Sequence, residues 1–145
     1  KEVVMGGGFL FAMCSATDSY DIALAAEGHD ICGPMFDGDG MGSNLDELLD
    51  FSKTLAFKNF TLVKNPNQYE FSSIDATQKR NINTKVDFFT LFDFSAKWDP
   101  VPTMLCQNHM QVIPGFMGQT TSFRNEFIKS DVLIMGETKA TNEAR

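Results

Sequence analysis

Cys14 stands at the centre of the stretch "AMCSA", residues 12–16, and is the first candidate for chemistry in this chain. The residues two before and two after it are alanines. Small side chains at these positions permit the sharp strand-to-helix turn that presents a nucleophile, as in the G-x-S-x-G pattern of hydrolases. At the first turn of a helix, backbone N–H groups and the helix dipole favour the thiolate, which is the reactive form. The pattern predicts a nucleophile elbow at Cys14, with the backbone N–H of Ser15 as an oxyanion donor.

A structural role for Cys14 fits the same residues, because the buried end of a strand is among the commonest places for a cysteine. Thiol catalysis also requires a base and a group that orients it. His109 could lie at a strand end near Cys14, and Asp18, one helical turn further on, could contact a substrate amine. A structural or surface histidine, and a carboxylate placed at the positive end of a helix, are the competing interpretations of these two residues. His29 lies too far along the helix to serve.

The composition describes one packed domain over residues 1–145, since 43% of the residues are hydrophobic. The net charge of −7 argues against a nucleic-acid partner, because such proteins concentrate Lys and Arg on one face. No apolar run approaches the roughly 20 residues that a membrane-spanning helix needs. We therefore expect neither nucleic-acid binding nor a membrane span.

The cysteines and acidic residues predict no metal site. Cys14, Cys32 and Cys106 are an odd number with no C-x-x-C pair, which does not indicate a disulfide framework. His29 and Cys32 have the spacing of half a zinc site, but no second pair follows. The loop "DGDGMGSNLDEL", residues 37–48, lacks the oxygen ligands that a calcium loop would place at its fifth and twelfth positions.

Hydrophobic periodicity divides the chain into elements. Residues 6–14, "GGGFLFAMC", predict a strand buried on both faces, and the three glycines allow a tight turn into it from a preceding helix. Residues 15–28 predict a helix capped by Ser15 or Thr17 and ended by Gly28. A loop and a short helix over residues 45–53 follow.

The second half predicts mainly strands. Residues 54–74 predict strands interrupted by a turn at "KNPNQ", residues 64–68, and residues 85–98 and 103–113 predict an antiparallel pair. A short helix over 122–130 and a buried strand over 131–137 complete the pattern. One strand–helix unit followed by mixed or antiparallel strands predicts an α/β domain.

The segment "GGGFLFAMCSATDSYDIALAAEG", residues 6–28, is similar to the strand–elbow–helix of class I glutamine amidotransferase-like domains. Over most of its length, through "LDFSKTLAF", "YEFSSIDAT" and "GFMGQTTSFRNEFIKSDVLIMGE", the chain resembles bacterial proteins labelled asparagine synthetase B. The resemblance implies a flavodoxin-like fold related to class I amidotransferases and to ThuA-like proteins. It also implies that residues 1–145 are an interior part of one such domain, which the rest of a longer parent chain completes.

The resemblance implies a cysteine-dependent amidotransferase or amidohydrolase in which Cys14 attacks an amide carbonyl and a His/Glu pair outside this chain assists. The alternative is a non-catalytic amidotransferase-like or ThuA-like domain that binds a small molecule or joins a protein assembly. No cofactor is expected, because the glycines at 6–8 precede the predicted strand and cannot cradle a phosphate after it. Free cysteines suit the bacterial cytoplasm, while a secretion signal on the parent chain would direct it to the periplasm.

Overall fold

The computed structural model describes residues 1–68, 71–76, 88–91, 112–114, 122–138 and 143–144. Within these ranges the first part of the chain carries helices, and strands lie in the second part. The helices are α1 (Glu2–Met5), α2 (Ala16–Ala25), α3 (Pro34–Asp37) and α4 (Leu45–Leu48). The strands are β1 (Phe88–Leu91), β2 (Val112–Pro114) and β3 (Gly136–Thr138), and a 3₁₀ helix spans Asn125–Phe127.

The three strands form an antiparallel sheet in the order β2-β1-β3. Phe89 of β1 lies opposite Ile113 of β2 on one side and Thr138 of β3 on the other. The antiparallel pair predicted for residues 85–98 and 103–113 is therefore present at β1 and β2, and the remainder of both predicted strands lies outside the described residues. The flavodoxin-like arrangement stays a prediction.

Helix α2 begins and ends near the predicted residues. Ser15 is its N-cap, although its side chain makes no capping hydrogen bond, and Ala26 is its C-cap. Gly28 follows in a left-handed conformation with φ of 86°, which glycine adopts without steric cost. Asp18, Asp21, Ile22 and Ala25 are the buried residues of α2. Their spacing of three and four places them on one face of the helix.

The predicted buried strand over residues 6–14 is wrong, because the structure has no strand there. Phe9 is 87% exposed and Phe11 is 67% exposed. A strand buried on both faces needs neighbouring strands to satisfy its backbone and cover its side chains, and none of the described strands pairs with this segment. The predicted tight turn is present: Gly7 has φ of 88°, and the Gly8 N–H donates to the Val3 carbonyl at 2.6 Å.

Residues 61–68 and 71–73 pair as a narrow hairpin in place of regular strands. Leu62 and Ser72 form an antiparallel bridge, and the Val63 N–H donates to the Phe71 carbonyl at 2.9 Å. The Gln68 N–H donates to the Asn65 carbonyl at 3.0 Å, which closes the turn predicted at residues 64–68. The turn is thereby confirmed.

Two predictions near the end of the described chain are correct only in part. The helix predicted over 122–130 is reduced to the 3₁₀ turn Asn125–Phe127. The buried strand predicted over 131–137 is wrong for residues 131–135, since β3 begins at Gly136 and Leu133 is 81% exposed. The segment 122–130 pairs through isolated bridges instead, such as that between Phe123 and Ala144.

The core joins α2 to the segments that follow it. Its buried residues are Ile22, Ala25, Ala26, Leu49, Phe57, Phe60 and Ile74. Phe51 meets Phe60 edge to face with ring centroids 5.0 Å apart, a favourable aromatic arrangement. Among the helices that the structure describes, none is long and apolar enough to cross a membrane.

Candidate functional site around Cys14

Cys14 occupies a turn immediately before α2, and its backbone has the unusual φ of 55°. Few residues other than glycine adopt positive φ, because Cβ then crowds the backbone. Two hydrogen bonds between residues three apart hold this turn. The Ala16 N–H donates to the Met13 carbonyl, and the Thr17 N–H donates to the Cys14 carbonyl, both at 3.1 Å. Cys14 is exposed to solvent. A sharp turn therefore presents the thiol at the start of the helix, and a buried structural cysteine does not describe this residue.

Ser15 follows Cys14 in helical conformation, with φ of −60° and ψ of −21°. Its carbonyl accepts the Ser19 N–H at 3.0 Å, while its own N–H donates to none of the described residues. A backbone donor next to a nucleophile is the arrangement that stabilises a developing oxyanion. The donor predicted from the sequence is therefore available to a ligand within the described part of the chain.

The packing expected around an elbow is only partly formed. Ala12 is half-buried and Ala16 is exposed. Their small size is consistent with the tight turn, but within the described ranges no strand packs against them.

Asp18 lies one turn into α2 and is completely buried, with 0% exposure. Neither carboxylate oxygen has a hydrogen-bond partner among the described residues. Burial, and to a lesser degree the charge of Asp75, raises the pKa of Asp18 from 3.8 to about 6. Asp18 is therefore not an exposed charge at the start of the helix. Its carboxylate is also not accessible to a substrate amine in solution.

Asp21, three residues further along α2, is also buried, but it has a full set of partners. Its carboxylate accepts the N–H groups of Leu55, Ala56 and Phe57, each at 2.7 Å. Local sequence gives no sign of these bonds, because the partners of Asp21 lie more than 30 residues away. Asp21 fixes the segment 55–57 against the helix that carries Cys14.

Lys129 forms a second set of hydrogen bonds to the same segment. The Lys129 ammonium donates to the Thr54 carbonyl at 2.6 Å, and the Lys129 N–H donates to the Ala56 carbonyl at 2.9 Å. The Thr54 hydroxyl donates to the carbonyls of Phe51 and Phe57. These bonds make residues 54–57 a rigid support for α2.

Within the described residues, neither histidine that the sequence offered as a partner lies beside Cys14. His29 is exposed beyond Gly28, at the opposite end of α2. His109 lies outside the described residues, as does Cys106. The described part of the structure thus contains no histidine that could act as the general base for the Cys14 thiol.

A group of three exposed carboxylates, Asp30, Asp37 and Asp39, lies in the loop around α3, with oxygens within 4.8 Å of one another. A hydrogen bond from the Cys32 thiol lowers the pKa of Asp37, and the neighbouring Asp37 raises the pKa of Asp39. Oxygen ligands of this kind suit hard cations. Exposed acidic groups often cluster without an ion, and no further feature of the loop points to one.

Comparisons with models of known protein families, with curated protein sequences and with solved structures found no match for this chain.

Proposed function

We propose that this chain carries the nucleophile of a cysteine-dependent amidotransferase or amidohydrolase, with Cys14 as the attacking residue. The observation that supports this is the positive φ of Cys14 at the residue before the N-cap of α2, combined with an exposed thiol. Such a backbone conformation is strained for cysteine, and strain of this kind concentrates at functional sites.

The reaction follows from the groups at this turn. The Cys14 sulfur attacks an amide carbonyl and forms a C–S bond, while the Ser15 N–H stabilises the negative oxygen of the tetrahedral intermediate. Collapse of that intermediate breaks the C–N bond and releases ammonia, whose nitrogen receives the proton that the Cys14 thiol gave up to the histidine expected outside this chain. Water then cleaves the thioester, giving the carboxylic acid and restoring the thiol. In an amidotransferase, the ammonia passes to an acceptor.

Site-resolved alkylation tests the proposed reactivity. The full-length protein is treated with iodoacetamide at pH 7, and modification of Cys14 and Cys32 is followed by peptide mass spectrometry. We expect Cys14 to react about tenfold faster or more, because Cys14 is exposed, whereas Cys32 is half-buried and its thiol is held by Asp37. Cys32 is the matched comparison within the chain. Its thiol donates a hydrogen bond to Asp37, which raises the pKa of Cys32 above 9.0.

Ammonia release tests the proposed turnover. Glutamine and asparagine are the first substrates, each incubated with the full-length protein and with the variants Cys14→Ser and Cys32→Ser. We expect Cys14→Ser to abolish release and Cys32→Ser to retain it. Equal alkylation rates at the two cysteines, or release that survives Cys14→Ser, would contradict the proposal and favour the non-catalytic, ligand-binding alternative.

A further inference from the structure

A cavity of 880 Å³ lies on the side of α2 that carries Ile22, away from the turn at Cys14. Ile22 and Leu45 form its buried base, with 5% and 1% exposure. One side is the segment 31–36, which includes α3, and the other is the hairpin at residues 62–68. Its volume falls within the range of roughly 300–1,000 Å³ typical of small-molecule sites.

Most of the cavity surface is apolar. Ile31, Leu62 and Phe71 line it, and Met35 and Phe36 of α3 stand at its edge with exposed side chains. Exposed large apolar side chains that border a concave surface are characteristic of ligand-binding grooves. This part of the cavity therefore suits a hydrocarbon chain or ring.

The polar groups of the lining are concentrated at one end, in the hairpin turn. Lys64 lies there together with the amide side chains of Asn65, Asn67 and Gln68. Lys64 is the one charged residue in the lining that the structure describes, although the chain as a whole has a net charge of −7. A cation beside hydrogen-bonding amides, with no acidic side chain in the described part of the lining, is complementary to an anionic head group.

The ion pair that Lys64 already makes leaves it available to such a ligand. Its ammonium lies 3.6 Å from Asp46, and both side chains are more than a third exposed. Exposed pairs of this length contribute little stability. The other oxygen of Asp46 accepts the Leu62 N–H at 2.7 Å, so Asp46 remains satisfied when Lys64 moves toward a ligand.

We propose that this cavity binds a single-chain amphiphile that ends in a carboxylate, with the hydrocarbon against Ile31 and Leu62 and the carboxylate at Lys64. Cys14 does not line the cavity. The proposed binding is thus independent of the proposed reaction at Cys14.

Isothermal titration of the chain with hexanoate, octanoate and decanoate, each below its micellar concentration, tests the apolar part of the proposal. We expect saturable binding whose affinity rises about two- to fourfold with each added CH₂ group, as burial of hydrocarbon requires. Octanol in place of octanoate tests the head group. We expect the affinity for octanol to be lower than that for octanoate by at least about fivefold.

Paired variants assign the binding to this cavity. Lys64→Gln removes the proposed cation, and Lys53→Gln is its control, since Lys53 also makes a surface ion pair, with Glu27 at 3.0 Å, but does not line the cavity. We expect octanoate affinity to fall about fivefold in Lys64→Gln and to change less than about twofold in Lys53→Gln. Met35→Glu, which places a like charge at the edge, weakens binding about tenfold or more, while Leu133→Glu at a remote exposed position does not.

Three outcomes would overturn the proposal: no saturable binding, octanol binding as tightly as octanoate, or equal effects of each variant and its control. Because Lys64 and Met35 are exposed, these substitutions leave the fold intact, and urea unfolding verifies this. The alkylation rate of Cys14, measured on the same variants, stays unchanged when the two sites are independent.

Discussion

Asp18 and Asp21 lie three positions apart on α2, and both are buried, yet their surroundings differ. Asp21 accepts three backbone N–H groups, whereas neither oxygen of Asp18 makes a full hydrogen bond within the described residues, and the nearby N–H groups of Asp18 and Ser19 offset only part of the effect of burial. Burial of a charge is tolerated where hydrogen bonds replace those of water, and it is unfavourable where they do not. The fold therefore depends on a charged group at position 21 and is destabilised by one at position 18.

We predict that Asp18→Asn stabilises the chain at pH 8 by about 1–3 kcal/mol, because a neutral amide replaces a carboxylate that is buried without partners. The pKa of Asp18 is about 6 in the folded chain against 3.8 for the ordinary group. The folded state consequently binds the proton more tightly than the unfolded state. The contribution of Asp18 to stability is thus greatest below about pH 4 and is lost as the pH rises through about 6.

Urea unfolding of the wild type and Asp18→Asn at pH 4 and pH 8 measures this effect. The variant should gain at pH 8 and show no gain at pH 4. Asp131→Asn, at an exposed carboxylate, is the control and should leave the free energy of unfolding unchanged at both values. A loss of stability in Asp18→Asn at pH 8 would show that the charge of Asp18 is compensated in the folded chain.

The opposite result is expected at position 21. Asp21→Asn replaces one accepting oxygen by a donor that faces backbone N–H groups, and we predict a loss of about 3 kcal/mol in the free energy of unfolding. Asp50→Asn is the matched control, since exposed Asp50 also accepts a backbone N–H, that of Ser52 at 3.0 Å. The control should lose less than about 1 kcal/mol. Equal losses would mean that burial does not strengthen the bonds of Asp21.

At the scale of elements, the features that local sequence determines could be predicted. Helix α2, the turn at residues 65–68 and the glycine turn after α1 depend on helix-forming residues, a proline and glycines whose effects reach only a few positions. The turn at Cys14 before α2 also depends on local sequence, whereas the nucleophile elbow stays a prediction because no strand precedes this turn in the described residues.

Features that depend on distant partners could not be predicted. The apolar run at residues 8–13 indicates burial only if other strands cover it, and a sequence pattern does not show whether they do. Asp21 carries no signal of its bonds to residues 55–57, and the nearby charge of Asp75, which raises the pKa of Asp18, is likewise distant in sequence. The cavity was missed for this reason: its two sides, residues 31–36 and 62–68, are separate in sequence.

The turn after α1 provides a test at this scale. A Cβ at Gly8 would lie 2.4 Å from the Val3 carbonyl oxygen, a distance that requires the backbone to move. We predict that Gly8→Ala opens α1, which would appear as loss of protection of the Met5 and Gly6 amides in hydrogen exchange. Gly40→Ala is the control, because a Cβ there meets nothing within 4 Å. Unchanged protection in Gly8→Ala would show that the turn does not depend on this close approach.

At the scale of the whole molecule, the distribution of exposed apolar side chains is uneven. Phe9, Phe11 and Met13 follow one another at alternate positions of the segment before Cys14, and all three are exposed. Contiguous exposed apolar surface promotes association in water, even in a chain whose net charge of −7 favours solubility. We therefore expect this segment, more than the net charge, to set the protein concentration above which the chain self-associates.

We predict that the double variant Phe9→Ser/Phe11→Ser raises the protein concentration at which light scattering begins by about threefold or more, because it removes the largest exposed rings of the segment. Its free energy of unfolding should change by less than about 0.5 kcal/mol, as expected for side chains already in water. Leu133→Ser removes one exposed apolar side chain elsewhere and should leave the scattering threshold nearly unchanged. A loss of about 2 kcal/mol or more in the double variant would instead show that Phe9 and Phe11 are packed in solution, as a buried strand before the elbow would require.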